Sequence, residues 1–186
     1  FQAERYSVVS SQTIGIVKSV SVKPGDRVEK NDLILVVDER DARQALESAQ
    51  IALEETKRTI AVDLATLRAS VRQTTLARDQ AERAAANAEA LKAVQGVSEE
   101  DYRKAIEERD RTRDALADAR ERLRVSEGLP VGAEPSLDSS GDAAIVASSP
   151  SFRRAQLAVE SARRALDGCV FRADRDGVVT EIGVAP

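Results

Sequence analysis

The sequence has no histidine, methionine or tryptophan, and only one cysteine, Cys169. Without imidazole it lacks the commonest acid–base catalyst, and without clustered His or Cys it lacks a His- or Cys-rich metal site. A lone cysteine excludes an internal disulfide; Cys169, beside Val170-Phe171-Arg172-Ala173 in an expected strand, reads as a small buried hydrophobe rather than a reactive thiol. The missing His and Met also remove the usual soft ligands for copper or silver. Aromatics make up 3% of the chain and charged residues 32%, so Ala, Leu and Val must do the packing, as in a thin two-helix seam rather than a thick core. A net charge of −4 with both signs interspersed offers no basic field for nucleic acid or an anionic membrane. No apolar run approaches the ~20 residues that span a bilayer, and no signal peptide is visible. The opening FQAERYSVV, without Met, reads as that of an excised piece.

What is present is a long helical pattern between two short β-type segments. Tyr6, Val8 and Val9 suggest a strand within residues 1–12. Ile14, Ile16, Val20 and Val22 alternate with polar residues up to Lys23-Pro24-Gly25-Asp26, a type II turn signature. Val28, a second turn at 29–32 and an apolar strand over 33–37 follow, and Asp38 to Asp41 supply the acidic residues that helix N-termini favour. From 39 to 94 there is no Pro or Gly, which predicts a first helix on the order of 80 Å long. Its seam reads Leu46, Ala49, Leu53, Thr56, Ile60, Asp63, Leu67, Ser70, Thr74, Ala77, Ala81, Ala84, Ala88 and Leu91, leaving Arg78 outward.

Gly96 is expected to take the left-handed conformation that ends this helix, and Ser98-Glu99-Glu100-Asp101 opens the next. So short a turn makes the helices antiparallel neighbours. The second helix is expected over 99–126, with Tyr102, Ala105, Arg109, Thr112, Leu116, Ala119 and Leu123 as its seam, ended by Gly128 and Pro130. Residues 127–149 read as a loop. A further helix follows over 150–167, with Phe152, Ala155, Val159, Ala162 and Leu166 inward. The two return pieces are shorter than the outgoing arm, leaving about ten residues near 56–65 without a helical partner. The apolar run Ala143-Ala144-Ile145-Val146-Ala147 is expected to cover Ile60 and Leu64.

The β-type segments repeat each other. Gly15-x-Val17-x-x-Val20-x-Val22-x-Pro24 matches Gly177-x-Val179-x-x-Ile182-x-Val184-x-Pro186, and the first copy continues as Gly25-Asp26. With this half-motif, a long helical insertion and RADRDGVV opening the second half, the chain resembles the periplasmic adaptor (membrane fusion) proteins of the HlyD/EmrA type over nearly its whole length. The resemblance implies an α+β fold, in which a long antiparallel coiled-coil hairpin with an interrupted return arm divides a lipoyl-like β sandwich. The domains are then 1–38 (N-terminal strand and first half), 39–167 (hairpin) and 168–186 (second half, truncated). It implies a subunit that links an inner-membrane transporter to an outer-membrane channel for efflux or secretion. It also implies a periplasmic location, an inner-membrane anchor absent from this chain, and homo-oligomers on assembly. No enzyme activity, cofactor or metal is expected.

In many such adaptors the hairpin tip carries Arg-x3-Leu-x6-Ser. Here Leu91 and Ser98 keep that spacing, Asn87 takes the Arg position, and Arg83 lies one turn earlier. The tip residues Asn87, Leu91, Val94, Gln95, Gly96, Val97 and Ser98 are therefore the candidate partner-binding set. Ser98 is equally a plain N-cap, Leu91 equally a core residue, and Val97 an apolar side chain at an exposed turn. A biotinyl or lipoyl carrier needs a Lys on the turn joining its halves, and the helical insertion replaces that turn. A structural coiled-coil rod is the remaining alternative; it has no use for a split β unit.

Overall fold

The computed structural model describes residues 16–183. The strand expected within 1–12, Ile14, Gly15 and the repeat's last residues, Val184, Ala185 and Pro186, lie outside them. The elements run β1 (Val17–Val20), β2 (Arg27–Val28), β3 (Leu33–Val37), α1 (Arg40–Ala93), α2 (Glu99–Ser126), α3 (Asp142–Ser148), α4 (Pro150–Asp167), β4 (Val170–Arg172) and β5 (Gly177–Val178). They fall into two compact units. One holds the strands, α4 from Ser151 on and α1 as far as Glu55; the other is Thr56–Pro150.

In the first unit, strands from both ends of the chain pair with each other. β3 lies between β1 and β4, antiparallel to both, and β2 pairs antiparallel with β5. Two turns of the same build set the strand ends. Gly25 (φ 95°) and Asn31 (φ 76°) take the position that needs positive φ. In each turn the Asp that follows accepts, through Oδ2, the backbone N–H three residues before it: Asp26 from Lys23 and Asp32 from Glu29, both at 2.8 Å. The second copy of the repeat then bonds to these turns. Val179 exchanges backbone hydrogen bonds with Gly25 (2.8 Å) and Asp26 (2.9 Å), and Ala173 does so with Asn31 (2.8 Å) and Asp32 (2.9 Å). Val28, Val37, Cys169 and Ala173 are buried. Cys169 lies in the turn just before β4 rather than in the strand, and burial pushes its thiol pKa up. At the start of α1, Asp38 accepts the Arg40 N–H at 3.1 Å and its side chain at 2.6 Å, which lowers its carboxyl to about 2.

In the second unit α1 and α2 are antiparallel. Leu64 and Val71 of α1 cluster with Leu116, Ala119 and Leu123 of α2, and Ile60, Leu67 and Ile145 pack against them. Toward the turn the seam narrows to the small residues Ala81, Ala85 and Ala88. The buried face of α1 corrects the expected seam. Beyond Ile60 the inward residues are Leu64, Leu67, Arg68, Val71, Thr74, Arg78, Ala81, Ala85 and Ala88, while Asp63, Ser70, Ala77 and Ala84 are exposed. The positions shared with the expected seam are 67, 74, 81 and 88; between them the spacing is four-then-three, not three-then-four. Before Ile60 the half-buried residues Leu46, Ala49, Leu53 and Thr56 keep the expected order. Thr56, Ile60 and Leu64 therefore follow one another at steps of four, a stutter that changes the heptad phase.

Residues 127–149 are not a bare loop, since they contain α3. They are tied down by Arg68, whose side chain is only 5% exposed. Its Nη1 and Nη2 form a fork on Asp142 (3.0 and 2.6 Å), Nη2 also reaches Glu127 at 3.1 Å, and Nε donates to the Ser136 carbonyl at 3.0 Å. Glu127 in turn accepts the Ser136 N–H at 3.0 Å. The hydrogen bonds that Arg68 donates to Asp142 raise its pKa against the effect of burial, so the guanidinium stays charged. Ile145, from the apolar run expected to cover Ile60 and Leu64, packs like Ile60 against the cluster that contains Leu64.

The phase of the seam is testable by alanine substitution. Leu64→Ala, at a site with no exposed surface, is expected to cost about 2–5 kcal/mol in urea unfolding. Asp63→Ala is expected to stay within about 0.5 kcal/mol. Equal costs at the two positions would overturn the assigned face.

Candidate functional site

The α1–α2 turn is built from two back-to-back caps. α1 ends in a Schellman arrangement, in which the Gly96 N–H donates to the Leu91 carbonyl at 2.8 Å and the Gln95 N–H to that of Lys92 at 3.1 Å. The left-handed residue is Gln95 (φ 55°), not Gly96 as expected from the sequence. α2 ends in the same way with Gly128 (φ 70°) in the left-handed place: its N–H bonds Val125 at 3.1 Å, and the Leu129 N–H bonds Arg124 at 3.1 Å. At the turn the glycine therefore stands one residue late, and Gln95 carries the strain that a Cβ brings to this conformation. Ser98 opens α2: its Oγ accepts the Asp101 N–H at 3.1 Å and donates to Asp101 Oδ2 at 2.7 Å.

Lys92, which the sequence reading passed over, braces the turn. Its Nζ pairs with Glu99 at 2.9 Å and lies 4.0 Å from the centre of the Tyr102 ring. These contacts join the last turn of α1 to the first turn of α2. A Lys three residues before the stop and a Tyr four after the Ser98 cap are the sequence signal that was available for this brace.

The candidate residues divide by exposure. Val94 (73%) and Leu91 (47%) face solvent, so Leu91 does not close the seam, which ends at Ala88. Asn87, Gln95, Gly96 and Ser98 are exposed, as is Arg83 one turn before Asn87. Val97 is half-buried, which corrects the expectation of an apolar side chain left in water. The site is therefore a stiff, doubly capped turn carrying two outward aliphatics in a charged surround. Among the described residues no group of His, Cys, Asp or Glu is arranged to hold a metal ion, and no helix is long and apolar enough to cross a membrane.

No family model matches the chain, and no curated protein matches it. Similar solved structures are found. One, described as an efflux transporter from Bacteroides eggerthii DSM 20697, is 14% identical over 97% of this chain and 35% of its own, with a TM-score of 0.48. The membrane fusion protein Spr0693 from Streptococcus pneumoniae R6 is 16% identical over 92% of this chain and 48% of its own, with a TM-score of 0.37. The periplasmic adaptor protein EmrA is 12% identical over 99% of this chain and 68% of its own, with a TM-score of 0.39. The chain thus spans less than half the length of the first two.

Two substitutions test the caps. Gln95→Gly is expected to stabilise the protein by about 1 kcal/mol, because glycine takes positive φ without a Cβ clash. Ser98→Ala is expected to cost about 1 kcal/mol through loss of the cap. Both are read from thermal or urea unfolding, and a destabilised Gln95→Gly variant would refute the assignment of strain.

Proposed function

We propose that this chain is the hairpin-bearing part of a periplasmic adaptor subunit, which links an inner-membrane transporter to an outer-membrane channel for efflux or secretion. The α1–α2 turn is the docking end for the channel, through Asn87, Leu91, Val94, Gln95, Gly96, Val97 and Ser98. The observation that carries this reading is the turn itself. Solvent-facing Leu91 and Val94 stand on a backbone fixed by a Schellman stop, a Ser98 cap and the Lys92 brace. A spacer has no need to hold aliphatics outward on so rigid a support, whereas a contact surface gains from groups already ordered before binding.

The β unit supports the same reading. β2 and β3 precede the helices, β4 and β5 follow them, and the two sets pair with each other. This is how a helical insertion into one small β domain is organised, and the internal repeat supports reading that domain as a split lipoyl-like sandwich. In the assembled system the subunit is a homo-oligomer held at the inner membrane, with no enzymatic step of its own. Asn87 in place of Arg favours one second reading, a structural coiled-coil spacer without docking.

Photo-cross-linking in cells separates the two. A photoreactive residue at Gln95 is expected to give an adduct with an outer-membrane channel protein, while one at Gln73, an exposed position on α1, gives none. Val94→Asp is expected to cut the Gln95 adduct by about tenfold or more while leaving the unfolding midpoint unchanged, since the side chain is exposed. Self-adducts alone from Gln95 would put the spacer reading ahead.

A further inference from the structure

We infer that residues 127–148 form a strap that opens and closes on the α1–α2 pair as a separate cooperative unit, with Arg68 as its latch. The inference starts from what holds the strap down. Between Gly128 and Ser149 no residue is buried, and α3 contributes none. Val131 is 92% exposed and Leu137 48%, and the strap's apolar contact with the core is the half-buried Ile145. Its attachment is polar instead and converges mainly on one side chain, with a further tie near its start where Arg124 Nη1 donates to the Leu129 carbonyl at 2.6 Å. Arg68 grips the beginning of the strap at Glu127, its middle at the Ser136 carbonyl and its α3 end at Asp142. Beneath the strap Leu64 and Leu123 have no exposed surface at all, so the core it borders is dry.

These facts set an order of stability. The α1–α2 seam is held by apolar burial spread over many residues. The strap is held by a charged trio of one guanidinium and two carboxylates, whose mutual attraction is offset by the cost of removing Arg68 and Glu127 from water, Asp142 staying partly exposed. Such a cluster adds little net stability while complete, but losing one member leaves the others buried without a partner. The strap should therefore detach before the hairpin unfolds, and it should do so all at once, since its ends and middle share the same latch. An open strap uncovers the Ile60 and Leu64 side of α1, giving the hairpin an apolar surface that is present in one state and absent in the other. This inference does not rest on the proposed docking role of the turn.

NMR-detected hydrogen exchange on the wild-type protein tests it. The Ser136 N–H, bonded to Glu127, and the α3 amides are expected to exchange at least about tenfold faster than the amides of Leu64, Val71 and Leu123. Arg68→Met is expected to speed exchange at Ser136 and α3 by about 100-fold while changing the amides of Ala81, Ala85 and Ala88 by less than about threefold. One common exchange rate for strap and seam in the wild type would overturn the inference without recourse to any variant. So would an Arg68→Met variant that speeds both equally.

Discussion

The contact between Leu64 and Val71 on α1 and Leu116, Ala119 and Leu123 on α2 is the constraint from which the rest of the helical unit follows. It is the one place among the described residues where large aliphatics from two helices are fully buried against each other. Because the α1–α2 turn is only a few residues long, fixing this contact also fixes which alanines meet nearer the turn. There Ala81, Ala85 and Ala88 bring little apolar area, so the seam is thin and depends on the aliphatic cluster for its alignment. Between Leu64 and Val71 on the same face of α1 lies Arg68, whose partners Glu127 and Asp142 tie residues 127–148 to the unit.

Much of this was legible in the sequence wherever a residue has a single conformational use. Ser98 before three acids could only open a helix, and Gly128 takes positive φ directly after α2. The pairing of Pro24 with Gly25 fixed a turn, and a second turn of the same chemistry follows at Asn31. The glycine at 96 misled for a physical reason: a Schellman stop is defined by its hydrogen bonds, and these accept a non-glycine residue when neighbouring contacts hold it. The brace from Lys92 to Glu99 and Tyr102 is such a contact.

The seam was misread because a heptad in an alanine-rich helix satisfies two spacings almost equally. Asp63, Ser70, Ala77 and Ala84 are each one residue from the true inward position, and Ala84 and Ala85 cannot be told apart by hydrophobicity. Leu64 and Val71 against Asp63 and Ser70 were the decisive pairs, and four-then-three spacing takes both. Arg68 was invisible for a related reason, since a charged residue on a long helix reads as solvated. The signal lay elsewhere. The stretch from Val125 to Phe152 contains four acids, Glu127, Glu134, Asp138 and Asp142, and no Lys or Arg, so a cation from another element had to enter it.

The stutter at Ile60 sets rules for how this protein can change in length. Each residue added to α1 turns everything beyond it by about 100°. Between Leu64 and Ala88 a single insertion would rotate Ala81 and Ala85 out of the seam, and a seven-residue step, matched in α2, is the shortest that brings it back to within about 20°. Before Ile60 the phase is already different, so the two stretches of α1 are free to gain or lose heptads independently. The strap adds a third freedom, because a segment without buried residues between Gly128 and Ser149 can absorb length that no helix can. Relatives of this chain with longer or shorter hairpins should therefore differ by sevens in the helices and by arbitrary numbers in the strap.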